Sequence, residues 1–114
     1  MIKNKTKNKT LVTDYKLCKS DLSKGIGLMF SRKKADFGLI FPFRKEKIVP
    51  LHMFFVFYPI DVLFLSSNKK VVDMKQGFKP FTIYTSKKRV KYVIELPVKT
   101  IDMTDTLLND VIAF

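Results

Sequence analysis

Leu51-His-Met-Phe-Phe-Val-Phe-Tyr-Pro-Ile-Asp-Val-Leu-Phe-Leu65 is the stretch whose reading decides the fold. Taken from Ile48, it offers 18 residues, the lower edge for a helix that spans a bilayer. Pro50 and Pro59 each remove a backbone donor, and Asp61 would cost several kcal/mol in hydrocarbon. Val, Ile and four Phe in short runs suit strands instead. The stretch therefore predicts two paired core strands, 51–57 and 60–66, bent at Tyr58-Pro59.

Around this stretch, 114 residues are enough for one domain that buries most of its apolar surface without staples. An apolar fraction of 46% with 11 Phe supplies the core. The single cysteine, Cys18, excludes an intrachain disulfide, in keeping with a reducing interior. Met1-Ile2 runs straight into Lys and Asn with no apolar leader, so a cytoplasmic location is expected. The net charge of +12 is unevenly spread. Residues 1–92 hold 21 of the 22 Lys and Arg against six acids, whereas 93–114 set Lys99 against Glu95, Asp102, Asp105 and Asp110. A body this basic attracts polyanions through a salt-screened field, although surface lysine also serves plain solubility.

Residues 3–10 read Lys-Asn-Lys-Thr twice over. If extended, Lys3, Lys5, Lys7 and Lys9 share a face and repel, so residues 1–9 are expected to form a flexible basic tail before a single β domain over 10–114. Thr10–Leu17 reads as the first strand, and Ser20 can cap a short helix that Gly25 and Gly27 end. Phe37–Phe43 is a second apolar strand, with Pro42 favouring an edge or an end, and 44–47 a polar hairpin connection. The runs 37–43, 51–57 and 60–66 predict an antiparallel meander. Asn68 suits a left-handed turn position, Val71–Lys75 continues the sheet, and Gln76–Pro80 breaks it. Phe81–Tyr84 and Tyr92–Leu96 are further strands, Thr100 caps a short helix reaching Leu107 or Leu108, and Val111–Phe114 closes the chain. The fold class expected is mainly β: a compact antiparallel β-sandwich or partly closed β-barrel with two short helices.

His52, Asp61 and Glu95 stand out because each polar group is embedded in apolar sequence. His52 would share a strand face with Phe54 and Val56, lining a cavity or bonding a carboxylate such as Asp61 or Glu95. It is then a general base or metal ligand, or else a satisfied structural histidine. Buried charge requires pairing, so Glu95 is expected to meet His52 or a lysine. Asp61 is expected to accept backbone amides at the bend, replacing ladder bonds lost to Pro59. Cys18, His52, Asp61 and Glu95 lack a diagnostic metal spacing, and no metal or cofactor is expected. Ser20, Ser23 and Ser31 lack a nucleophile context, Gly25-Ile-Gly27 is no phosphate loop, and no catalytic residue is assigned. The ligand-groove candidates are Gly27, Leu28, Met29, Phe30, His52, Met53, Asp61 and Glu95. The polyanion-binding candidates are Arg32, Lys33 and Lys34; Arg44, Lys45 and Lys47; and Lys87, Lys88, Arg89 and Lys91.

Gly27-Leu-Met-Phe30, the Leu51–Asp61 stretch, Tyr92-Val-Ile-Glu-Leu-Pro97 and the closing Asn-Asp-Val together resemble the domain of unknown function 192 family, in the form common in archaea. The resemblance implies a single, mainly β, sandwich- or barrel-like domain with no assigned activity. Two departures stand out. The glycine usual shortly after Leu-Pro is replaced around Val98-Lys99, and the Gly-Asp near the end is Asn109-Asp110. Asn is the least costly substitute where positive φ is needed. The function expected is a non-enzymatic binding or accessory module with a groove near the Gly-Leu-Met-Phe and His-Met segments. The alternatives are a nucleic-acid-associated protein using the loop lysines, and a hydrolase or metal-binding protein built on His52 with a carboxylate.

Overall fold

Ile60–Leu65 is buried at every residue, which a strand achieves only when both faces of its sheet are covered. The computed structural model describes residues 1–18, 36–52, 58–79 and 81–114. In chain order the strands are β1 (Ile2–Asn4), β2 (Lys9–Val12), β3 (Asp14–Leu17), β4 (Phe37–Lys47), β5 (Pro50–His52), β6 (Ile60–Leu65), β7 (Val71–Phe78), β8 (Ile83–Thr85) and β9 (Val90–Pro97). The helix α1 (Thr100–Met103) and β10 (Ile112–Ala113) complete the chain. A five-stranded sheet in the order β3-β4-β9-β6-β7 forms the middle layer, with β10-β1-β2 and the ribbon β5-β8 as separate sheets.

Alternation along the central strands sorts the core into two clusters. Phe37, Leu39, Phe41, Ile60, Val62, Phe64 and Val93 pack with Val49 and Leu51, which flank and begin the ribbon. Ile40, Leu63, Leu65, Ile94 and Leu96 pack with Ile2, Leu11, Val12 and Ile112 of the three-stranded sheet and with Ile101 of α1. Gly38 leaves little room for a side chain: a Cβ there would lie 3.2 Å from Val12 Cγ2 of the three-stranded sheet and 3.2 Å from the Glu95 carbonyl oxygen of the neighbouring strand. Among the described residues no sheet closes on itself, so the architecture is a mainly β, compact sandwich. No described helix is long and apolar enough to cross a membrane.

Several expectations give way. The basic tail is instead a hairpin: Ile2 and Asn4 are fully buried, and β1 pairs with both β2 and β10. Like-charge repulsion is relieved because Lys7 and Lys9 reach Asp110 and Asp105 at 3.0 and 2.9 Å. The first strand breaks at Thr13, whose amide and hydroxyl both bond Asp36 and turn the chain from one sheet to the next. Beyond that turn β3 runs parallel to β4, so the central sheet is mixed. β4 continues to Lys47 with Pro42 inside it opposite Tyr92, and the register against β9 shifts between Pro42 and Lys47.

The meander does not form either. β4 lies beside β9, β6 lies between β9 and β7, and β5 pairs with β8 in a different sheet from β6. The run 53–57 lies outside the described residues, as does the first expected helix. β7 passes through Gly77, whose φ of +56° accommodates a register shift opposite Ile60 and Val62. The left-handed residue of the 66–70 turn is Lys69, not Asn68. α1 stops at Met103: the Thr104 hydroxyl bonds the Thr100 carbonyl oxygen at 2.7 Å, and Asp105 turns left-handed.

Candidate functional site

Glu95 occupies the middle of the central strand, opposite Leu39 of β4 and Val62 of β6. Strand alternation puts its side chain on the Val93 face, among the first core cluster. It is 1% exposed, and among the described residues its Oε1 has no hydrogen-bond partner. Burial pushes its pKa from 4.5 up to about 8, so at neutral pH the group is a carboxylic acid that can donate as well as accept. Neither described ion pair involves it, and the His52 side chain lies outside the described residues. Tyr58 and Cys18 lie within reach of its charge. The Tyr58 hydroxyl is pushed up first by burial and then by Glu95. The Cys18 thiol is raised by burial, lowered by Lys16 and raised again by Glu95. Neither Tyr58 nor Cys18 was among the groove candidates, since a tyrosine before proline and a lone cysteine carry no spacing signal.

Asp61 faces the other way. It sits on β6 opposite Leu96, 1% exposed, and both its oxygens are engaged. Oδ1 accepts from the Gly77 amide at 3.0 Å and Oδ2 from the Ile101 amide at 2.9 Å. The expected acceptance of backbone amides holds, but the donors are the β7 bulge and the first turn of α1, not the Pro59 bend. Asp61 thereby caps a helix that has no side-chain cap of its own. Asp61 and Glu95 do not share a face. The His52 backbone pairs with Ile83 in the ribbon, beside a groove of about 280 Å³ lined by Lys75, Gly77, Phe78, Lys79, Thr82 and Ile83. A larger groove of about 430 Å³ runs between β2 and α1, along Lys9, Leu11, Val98 and Met103. Gly27, Leu28, Met29, Phe30 and Met53 lie outside the described residues. No described group of three or more His, Cys, Asp or Glu is placed to hold a metal ion.

The basic clusters fare differently. Arg32, Lys33 and Lys34 lie outside the described residues, but the other two clusters meet at one end of the central sheet. Lys47 is the register partner of Val90, and Lys91 Nζ donates to the Arg44 carbonyl oxygen at 2.7 Å. The 66–70 turn joins them through the Ser67 amide, which donates to Glu46 Oε2 at 2.8 Å. Lys70 therefore belongs to the same end, while Lys69 is held over the Phe114 ring and bonded to the Phe114 carbonyl oxygen. Asp73, which the sequence did not single out, anchors this end: its carboxylate accepts from the Tyr84 hydroxyl and the Lys87 amide. Burial and that carboxylate push the Tyr84 hydroxyl up to about 12.

A three-layer β-sandwich with an unpaired acid on its central strand and a cationic end defines the class of domain. The chain belongs to the DUF192 family, described as "Uncharacterized ACR", whose model matches residues 2–114. It is 35% identical to a UPF0127 protein of Thermococcus sibiricus over 96% of this chain and 71% of that protein. It is 36% identical to a UPF0127 protein of Pyrococcus horikoshii over 85% of this chain and 84% of that one. Its fold is similar to a crystal structure from Sinorhizobium meliloti, provisionally described as a transcription regulator. That match has a TM-score of 0.77 and 25% identity, covering 87% of this chain and 79% of the other. A protein of unknown function from Novosphingobium aromaticivorans matches with a TM-score of 0.77 at 17% identity, covering 88% and 74%.

Proposed function

We propose that this chain is a cytoplasmic, non-enzymatic binding module whose small-molecule ligand docks on the Glu95 face of the central sheet. The observation that supports it is Glu95 Oε1, buried without a hydrogen-bond partner among the described residues. An orphaned buried polar atom costs about 1–3 kcal/mol, and such a cost persists where a ligand supplies the missing partner. The protonated carboxyl suits a neutral ligand carrying both a donor and an acceptor. Gly27, Leu28, Met29 and Phe30, with His52 and Met53, are proposed as its further lining on the strength of their sequence alone. The free Cys18 is compatible with a reducing compartment. A hydrolase built on His52 is less favoured, because Asp61 is committed to two amides.

The test is a thermal-shift screen of neutral small molecules on the wild type and on Glu95→Leu. Glu95→Leu is expected to melt higher than the wild type, because an apolar side chain of similar size removes the orphaned acid. A ligand of this site raises the wild-type Tm and leaves the variant unmoved. A Glu95→Leu protein that melts lower would show that the acid is there to hold the core.

A further inference from the structure

We propose that the end of the central sheet formed by the turns after β4, β6 and β8 is a docking surface for the sugar–phosphate backbone of a nucleic acid, bound without base readout. Eight cations meet there: Arg44, Lys45, Lys47 and Lys70, with the 87–89 triplet and Lys91. Three distant parts of the sequence supply them, and internal hydrogen bonds hold those parts together. The two acids at this end, Glu46 and Asp73, each accept from a backbone amide of a neighbouring turn. The described ion pairs, Lys7–Asp110 and Lys9–Asp105, both lie at the N-terminal hairpin, and neither involves a cation of this end.

The dimensions match a phosphate rail. The turns top four adjacent strands, β4, β9, β6 and β7, a width of about 14 Å at the usual strand spacing. Duplex DNA carries about eight phosphate charges over that length. Arg44 and Arg89 can each grip a phosphate with two N–H groups, and the lysines act as point charges. Phosphate contacts position a protein and carry no sequence information, so binding is expected to be indifferent to base order. An anionic lipid surface fits less well. Among the described residues the turns carry exposed Ile48 but mostly charged side chains, and insertion into a bilayer requires an apolar face.

The experiment is fluorescence anisotropy with a labelled DNA duplex and a single-stranded RNA of about 20 bases each, across about 50–200 mM salt. Two triple variants of equal charge loss are compared. Lys87→Gln/Lys88→Gln/Arg89→Gln lies on the proposed surface, and Lys16→Gln/Lys79→Gln/Lys99→Gln lies away from it. The surface variant is expected to lose about tenfold or more in affinity, and its log–log salt slope on duplex to become shallower by about 2–3, while the control changes little. Binding to scrambled sequences should be equal, and the duplex and RNA arms report which backbone is preferred. Equal losses in the two variants would reduce the effect to net charge and overturn the proposal. So would absence of binding at the lowest salt, or tighter binding to phosphatidylserine vesicles than to either nucleic acid.

Discussion

Glu95 sits between Leu39 and Val62 with nothing among the described residues to bond its Oε1, and the consequence is a signature in pH. Below about pH 4.5 the group holds its proton whether the chain is folded or not. Between there and about 8 the folded chain keeps a proton that the unfolded chain releases. Over that window its contribution to stability falls by about 1.4 kcal/mol per pH unit, and above it no more is lost. Glu95→Gln removes the titration, so melts at several pH values should show the variant gaining on the wild type as pH rises from 5 towards 8. Parallel profiles would mean that the acid is solvated or paired in solution. Asp61 makes the opposite prediction. Asp61→Asn sets an amide N–H₂ against one of two buried N–H donors, so a loss of about 2–3 kcal/mol is expected in denaturant melts. Both acids could be picked out as polar residues inside apolar runs. Their opposite facing could not, because it depends on β6 and β9 being neighbours, a pairing between strands far apart in sequence.

Among the elements, local pattern succeeded where local physics decides and failed where partners decide. Ile60–Leu65 and Val90–Pro97 are apolar, β-branched runs, and both are strands. The N-terminal repeat looked like a repelling tail because the acids that neutralise it, Asp105 and Asp110, lie about a hundred residues away. Asn4 shows what that hairpin contributes: its side chain donates to Thr106 Oγ1 and Asp110 Oδ2 and accepts from the Lys7 amide. Burial opposes ionisation of Asp110, but bonds from Asn4, the Leu107 amide and Lys7 outweigh it and hold its carboxyl below the usual range. Two non-glycine residues near the C-terminal end hold left-handed backbone that favours glycine, Lys99 at φ 74° and Asn109 at φ 76°. The turns survive, at a steric cost that a glycine would not bear. Lys99→Gly should therefore stabilise the protein by about 0.5–1 kcal/mol despite the added freedom of the unfolded chain, with Asn109→Gly gaining less. The check is a shift in the denaturation midpoint at constant m-value. A destabilised Lys99→Gly would mean that the lysine stem contributes packing that outweighs the strain.

At the scale of the molecule, the uneven charge along the sequence becomes a polarity in space. The acidic C-terminal quarter folds back onto the N-terminal hairpin and pairs with Lys7 and Lys9, while eight of the 22 Lys and Arg gather on the turns at one end of the sheet. Composition announced the excess, but only the β4–β9 register and the contact of Glu46 with Ser67 gather it in one place. Crowding like charges destabilises the compact state, and salt relieves it. The molecule extends 32 Å in its longest direction, whereas charges beyond about 10 Å are screened at 0.1 M salt. Its ion pairs offer little to lose: Lys9–Asp105 is exposed, and such pairs are worth about 0–1 kcal/mol. Lys7–Asp110 is partly buried and less open to screening. The Tm is thus expected to rise as sodium chloride increases from about 20 to 200 mM. In Lys87→Gln/Lys88→Gln/Arg89→Gln the low-salt Tm should already be higher and the rise smaller, since part of the repulsion is gone. A Tm that falls with salt in both proteins would place the dominant electrostatics in the hairpin's ion pairs, and the cationic end would then carry no strain for a polyanion to relieve.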